Sequence, residues 1–66
     1  MALGDNIQYL RKMNDITQEE LAEKLFVSRQ TISKWEMDQV YPEIPKLIEI
    51  GRMFHCKIDE LLKEDM

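Results

Sequence analysis

Residues 17–36 decide the fold of this chain, and they read TQEELAEKLFVSRQTISKWE. Thr17 and Glu20 form the S/T-x-x-E capping-box pattern that begins a helix, and Ser28 is a good N-cap for a second helix. Leu21, Ala22 and Leu25 recur at helical spacing in the first segment. The stretch therefore predicts two short helices joined by a tight turn, with the second helix over residues 28–36.

The second of these helices has two chemically different sides. Ile32 and Trp35 make an apolar side that we expect to be buried. The opposite side carries basic and hydrogen-bonding side chains, namely Arg29, Gln30, Ser33 and Lys34, with Thr31 on its flank. No acidic residue lies between Glu23 and Glu36. This side is either a solvated helix surface or a surface that contacts a ligand.

The flanking sequence predicts three more helices. Ile7 and Leu10 form an apolar stripe in a helix over residues 5–13, which follows a frayed start at residues 1–4. A loop is predicted over residues 37–43, a fourth helix from about Ile44, and a fifth over residues 58–63. No convincing strand-like alternation occurs. The predicted fold is all-α, with five short helices around one core in a single domain, residues 1–66.

Size and composition limit the possible classes of protein. With 66 residues, 44% of them hydrophobic and 33% charged, the chain suits one small folded domain. Cys56 is the single cysteine, which excludes an internal disulfide and favours a reducing cytoplasm. No apolar run approaches the roughly 20 residues that a membrane span requires, and no signal peptide is recognisable. We therefore expect a cytoplasmic protein without membrane contact.

The central stretch and its flanks resemble the helix-turn-helix of the phage-repressor/Cro family, also called the xenobiotic-response-element type. The resemblance rests on Gln18, Leu21, Ala22, Leu25, Val27, Ser28, Ile32, Trp35 and Glu36, and on the flanking motifs YLRK, YPEIPKLIEI and IDELL. It implies a five-helix, lambda-repressor-like DNA-binding domain of a bacterial or phage transcriptional regulator. Such regulators usually bind a palindromic double-stranded operator as homodimers.

The resemblance also implies roles for individual residues. Gln18 is similar to the family's glutamine that bonds a DNA phosphate and braces the recognition helix. The positions that reach base edges or flanking phosphates are Arg29, Gln30, Thr31 and Lys34, with Ser33 as a weaker phosphate candidate. Arg11 and Glu36 match a structural ion pair between helices 1 and 3. The same chemistry is expected physically, because glutamine pairs with adenine and arginine or lysine with guanine in the major groove.

The sequence departs from the family pattern at its helix ends. Phe26 stands at the turn where glycine is common, so a left-handed conformation there would cost about 1–2 kcal/mol, and burial of the ring would offset part of it. Met37-Asp38 replaces a common Asn-Gly after helix 3. His55 replaces a glycine after helix 4, and Lys57 a Ser or Asp cap of helix 5. These departures concern the loops rather than the DNA-facing set.

Other functions have less support in the sequence. No catalytic, cofactor or metal constellation is visible, since His55 has only Cys56 beside it and a metal site needs three or four ligands. Tyr41 either packs under its loop or offers its hydroxyl to a phosphate. The net charge of −4 is unusual for a DNA-binding domain, and it supports an alternative as a protein-interaction module. An antitoxin that binds DNA and a partner protein is a third possibility.

A dimer surface and further partners are also expected. Exposed parts of Leu61, Leu62 and Met66 are the predicted dimer surface. The sequence offers no obvious effector pocket. The chain is either a complete small regulator, or a fragment whose sensing and dimerising region lies in a further C-terminal domain or a partner protein outside it. Trp35 is predicted to be core rather than a platform for stacking bases.

Overall fold

The structure is a computed structural model, and it describes residues 2–63. Five helices account for most of these residues: α1 Ala2–Met13, α2 Gln18–Leu25, α3 Arg29–Glu36, α4 Ile44–Met53 and α5 Ile58–Leu61. No strand occurs within residues 2–63. The predicted all-α, five-helix architecture is therefore confirmed. Helices α2 and α3 both lie within residues 17–36, as predicted.

Helix α1 begins earlier than predicted, so the expectation of a frayed start at residues 1–4 is wrong for Ala2 to Gly4. Leu3 is buried, and the N–H of Gly4 donates to the Asp38 side chain at 3.0 Å. A Cβ at Gly4 would lie 2.6 Å from the carbonyl oxygens of Trp35 and Glu36. The first turn of α1 thus lies directly against the end of α3, and this tertiary contact orders it.

One compact core joins all five helices. Its buried apolar residues are Leu3, Ile7, Leu21, Ala22, Leu25, Ile32, Trp35, Ile50 and Leu61. The predicted burial of Trp35 is confirmed. Leu61 is fully buried, so its predicted place on a dimer surface is wrong: the single turn of α5 directs this side chain between α1 and α4. Leu62 is half exposed, and Met66 lies outside the described residues.

Helix α5 ends at Leu61 rather than at the predicted Lys63. The cause is Asn6, a buried side chain of α1 that the sequence did not single out. Its Nδ2 donates to the carbonyl oxygens of Leu61 and Lys63, both at 2.7 Å. Asn6 thereby satisfies backbone acceptors that a continuing helix would have used, and it ties the last turn of the domain to the first helix.

Each of the first four helices ends in the same way, with a non-glycine residue in the left-handed conformation. These residues are Asp15, Phe26, Asp38 and His55, with φ values of 54°, 58°, 57° and 54°. After α2, for example, Val27 N–H donates to Ala22 O at 3.0 Å and Phe26 N–H to Glu23 O at 3.3 Å. This pair of bonds defines a Schellman motif, in which glycine usually holds the left-handed position.

The turn at Phe26 corrects one expectation. The backbone is left-handed there (φ 58°, ψ 43°), but the ring is 88% exposed, so burial does not offset the strain. Instead, Lys46 of α4 donates to the neighbouring carbonyl oxygen of Leu25 at 2.7 Å. A side chain from another helix thus provides a hydrogen bond to a backbone acceptor at the end of α2.

The two glycines serve close packing instead of left-handed turns. Gly4 lies against the carbonyl oxygens at the end of α3, and at Gly51 a Cβ would lie 2.6 Å from the carbonyl oxygen of Cys56. At Gly51 the close neighbour is the loop after α4 and not another helix. Cys56 is partly buried, and desolvation, followed by the charges of Glu60 and Asp59, raises the pKa of its thiol.

Candidate nucleic-acid interface

Helix α2 begins with the predicted capping box. The Thr17 hydroxyl accepts from the Glu20 N–H at 3.0 Å, and the Glu20 carboxylate accepts from the Thr17 N–H at 2.9 Å. The hydrogen bonds from Thr17 lower the pKa of Glu20 below its ordinary value. Because this cap fixes the first turn of α2, it also fixes Gln18, the first residue of the helix.

Helix α3 is capped by Ser28, as predicted. The Ser28 hydroxyl accepts from the Thr31 N–H at 3.1 Å, and it also lies 3.0 Å from the Thr31 hydroxyl. The Thr31 side chain is therefore held against the helix start, on the edge of the exposed side. The remaining free N–H groups of this first turn and the positive end of the helix dipole favour an anion such as a phosphate.

The exposed side of α3 carries the predicted set. Arg29, Gln30 and Lys34 are exposed, whereas Ser33 and Thr31 are half-buried at its edges. A shallow depression is lined by Arg29, Gln30, Ser33, Lys34, Met37 and Gln39. The structure thus brings four of the six predicted residues to one depression. Thr31 lies on the flank of α3, and Gln18 reaches this side from α2.

Met37 and Gln39 belong to this surface, although the sequence predicts only a loop for them. The helical spacing that links Gln30, Ser33 and Lys34 continues to Met37, and this continuation was the available signal. Gln39 had no such signal, because the Schellman turn at Asp38 returns the chain across the end of α3: Gln39 N–H donates to Lys34 O at 2.9 Å.

A buried ion pair fixes α3 to α1. Arg11 Nε lies 2.6 Å from Glu36 Oε2 and Arg11 Nη2 lies 3.1 Å from Glu36 Oε1, with the side chains 11% and 2% exposed. Arg11 Nη1 also donates to the carbonyl oxygen of Ile16 at 3.0 Å. The predicted structural role of this pair is confirmed. Since Glu36 is the acid that closes the acid-free window, its pairing with Arg11 leaves the exposed side of α3 basic.

Gln18 joins α2 to both ends of α3. Its Nε2 donates to Glu36 Oε1 at 3.0 Å, and its Oε1 accepts from Arg29 Nη1 at 3.2 Å. The predicted brace on the recognition helix is therefore present, while the contact of Gln18 with a phosphate stays a prediction.

The other singled-out residues contribute little to this surface. Tyr41 is half exposed and lines a small apolar cleft with Leu3, Pro42, Leu47 and Leu62, so both of its interpretations stay open. No group of three or more His, Cys, Asp or Glu side chains within residues 2–63 has the geometry to hold a metal ion. Across the same residues, every helix is too short or too polar to cross a membrane.

Comparisons with known proteins agree with this geometry. A family model described as helix-turn-helix matches residues 7–61. The HTH-type transcriptional activator BcrR of Enterococcus faecalis is 47% identical over 62 residues, which cover 94% of this chain and 30% of that protein. An HTH-type transcriptional regulator of Methanocaldococcus jannaschii, MJ0272, is 37% identical over 59 residues, which cover 89% of each chain.

Among solved structures, the P22 c2 repressor in complex with synthetic operator 9T in the presence of Tl⁺ superposes with a TM-score of 0.89. The sequence identity is 32%, and the match covers 98% of both chains. This chain spans less than a third of the length of the E. faecalis activator but most of the M. jannaschii protein.

Proposed function

This chain belongs to the helix-turn-helix family of the phage-repressor type, and we propose that it binds specific sequences of double-stranded DNA as part of a transcriptional regulator. The observation that carries the proposal is the exposed side of α3: basic and amide side chains face outward, and a buried ion pair and a capped start hold the helix. A helix of this kind enters the major groove with its N-terminal residues against the base edges.

The side chains divide into two groups by chemistry. Arg29, Gln30 and Lys34 are the exposed members of the set, and they suit the donor and acceptor patterns of base edges or the flanking phosphates. Thr31, Ser33 and Gln18 lie at the edges of the surface, where short or braced side chains suit phosphates and set the register of the complex. Gln39 and Met37 extend the contact surface beyond the end of α3.

We further propose that the regulator acts as a homodimer. Helix α3 has 8 residues, so at 1.5 Å per residue it extends over about 12 Å, which is roughly 3–4 base pairs. A second copy on the other half of a palindrome, about one helical turn away, would supply the missing specificity. Leu62 remains the exposed member of the predicted dimer surface. A non-enzymatic role in the cytoplasm, with a further C-terminal domain or partner protein, completes the proposal.

Selection of bound duplexes from a random pool tests this function directly. We expect a defined, palindromic sequence. In binding titrations on that duplex, Gln30→Ala and Lys34→Ala should each relax preference at a base pair. Gln18→Ala removes a predicted phosphate contact and should lower the affinity for every duplex, in addition to any change of preference at the base pair that Arg29 contacts. Each good base contact is worth about 1–3 kcal/mol. Lys63→Ala removes the same charge as Lys34→Ala, but at an exposed position after α5, and serves as the control.

The salt dependence of binding separates the proposal from the alternative of a protein-interaction module, which the net charge of −4 favours. Phosphate contacts release counterions, so the affinity should fall steeply as salt rises. The proposal fails if no binding to duplex DNA is measured even at low salt, or if the Gln30 and Lys34 variants lose affinity equally for all sequences.

A further inference from the structure

The side-chain amide of Gln18 lies between two groups with opposite hydrogen-bonding requirements. Glu36 Oε1 accepts from Gln18 Nε2 at 3.0 Å, and Arg29 Nη1 donates to Gln18 Oε1 at 3.2 Å. An ionised carboxylate can only accept hydrogen bonds, and a guanidinium can only donate them. The amide therefore has one orientation that satisfies both neighbours, and the flipped amide would lose both bonds.

Glu36 is itself firmly oriented. Its side chain is 2% exposed, and Arg11 binds both of its carboxylate oxygens. Arg11 is held in turn by the carbonyl oxygen of Ile16 at 3.0 Å. A continuous set of side-chain contacts thus runs from Arg11 in α1 through Glu36 and Gln18 to the exposed Arg29.

The last contact of this series joins Arg29 to the neutral amide of Gln18, and a neutral partner is suitable there. A carboxylate beside Arg29 would neutralise the charge that attracts DNA, and the bond would have to break before the guanidinium met a base. Gln18 restrains Arg29 with a single neutral hydrogen bond and leaves the positive charge and the other guanidinium donors available. A side chain that is already restrained loses less conformational entropy on binding.

We infer that Glu36 is a positioning residue for sequence recognition: acting through Gln18, it holds Arg29 ready to pair with a guanine. This inference rests on the proposed function. Arginine donates two hydrogen bonds to guanine O6 and N7, so its preference depends on the direction of the guanidinium plane. A residue that never meets DNA therefore determines part of the base preference.

Selection from a random duplex pool, repeated with variants, tests the inference. Arg29→Ala identifies the base pair that Arg29 contacts. In Glu36→Gln the new amide can donate as well as accept, so the constraint on Gln18 is lost. Replacement of both members of the ion pair by methionine (Arg11→Met with Glu36→Met) removes the same constraint while filling the buried space, a type of exchange that cores often tolerate. Both variants should lose preference for guanine at that base pair by about fivefold or more.

A control variant and a measurement of side-chain mobility separate positioning from a general loss of stability. Asn6→Ala weakens the attachment of α5 without touching the series of contacts, and it should leave the base preference unchanged. In the free protein, ¹⁵N relaxation of the Arg29 Nε–H group should show greater mobility in Glu36→Gln than in the unmodified chain.

The outcomes distinguish a failure of the positioning role from a failure of the proposed DNA binding on which it rests. If the unmodified chain selects no sequence, the proposed function fails. If it selects a sequence but Arg29→Ala changes no preference, or both Glu36 variants keep the original preference with Arg29 equally rigid, the positioning role is wrong while DNA binding stands.

Discussion

Phe26 combines two unfavourable features in the turn between α2 and α3. Its backbone is left-handed, with φ of 58°, which is uncommon for a bulky side chain, and 88% of the residue is exposed to solvent. The Schellman motif nevertheless forms, because its two backbone hydrogen bonds and the Lys46 contact to Leu25 O satisfy the carbonyls at the end of α2. Phe26 is therefore a position where stability has not been maximised.

Substitution of Phe26 by glycine should stabilise the domain. Glycine adopts the left-handed conformation without a Cβ clash, so about 1 kcal/mol of strain should be recovered, less the entropy that glycine gains in the unfolded chain. Urea denaturation measures the change in the free energy of unfolding. Phe26→Ala is the matched control, since it removes the exposed ring but keeps the Cβ. Equal stabilities of the two variants would show that strain is not the cause.

At the scale of the element, α2 depends on a cap of two mutually bonded residues. Thr17 and Glu20 satisfy each other's backbone N–H groups, and Gln18 begins the helix between them. The cap therefore stabilises the start of α2 and also holds Gln18 in position for its hydrogen bonds with Glu36 and Arg29. A loosened first turn of α2 would disturb the surface of α3.

Thr17→Ala should destabilise the domain by about 0.5–2 kcal/mol, the usual cost of removing an N-cap hydroxyl. It should weaken the acid dependence of stability only in part, because alanine keeps the Thr17 N–H, whose hydrogen bond is the larger cause of the lowered Glu20 pKa. The pKa of Glu20 in the folded domain is lowered from 4.5. Its contribution is present above the unfolded pKa and is lost as the pH falls through the folded pKa. Urea denaturation at pH 7 and at a series of pH values below 4.5 measures both effects. An unchanged pH profile in Glu20→Gln, which removes the titrating group, would contradict this contribution of Glu20.

For the whole molecule, α1 is the element that holds the others in place. Arg11 fixes the end of α3, Gly4 permits the close contact with the same helix end, and Asn6 fixes α5. In a chain of 66 residues, where folding buries only about 60% of the unfolded surface, few such contacts are redundant.

Asn6→Ala should lower the free energy of unfolding by about 1–3 kcal/mol, because the buried carbonyl of Leu61 and the partly buried carbonyl of Lys63 lose their donor. The loss should be greatest in α5, where hydrogen exchange of the amides after Ile58 should accelerate more than exchange in α2 and α3. Asn14→Ala is a suitable control: its Nδ2 donates to Leu10 O at 2.7 Å, but the contact is exposed and local. Uniform acceleration across all helices would contradict a local role for Asn6.

The sequence by itself determined what depends on neighbours along the chain. Caps and helical periodicity act over three or four residues, so Thr17, Ser28 and the exposed side of α3 could be identified without coordinates. The resemblance to a known family added the Arg11–Glu36 pair and the brace at Gln18. The phosphate and base contacts of the six predicted residues stay predictions.

Only the tertiary structure decided the features that join distant parts of the chain. Four such features involve partners many residues away: the burial of Leu61, the early start of α1 with its contacts at Gly4, the two bonds from Asn6 and the orientation of the Gln18 amide. No local pattern encodes such contacts, because their free energy depends on helices that meet only in the folded domain. Residues 17–36 thus specify the surface that we propose contacts DNA, and α1 determines how that surface is held.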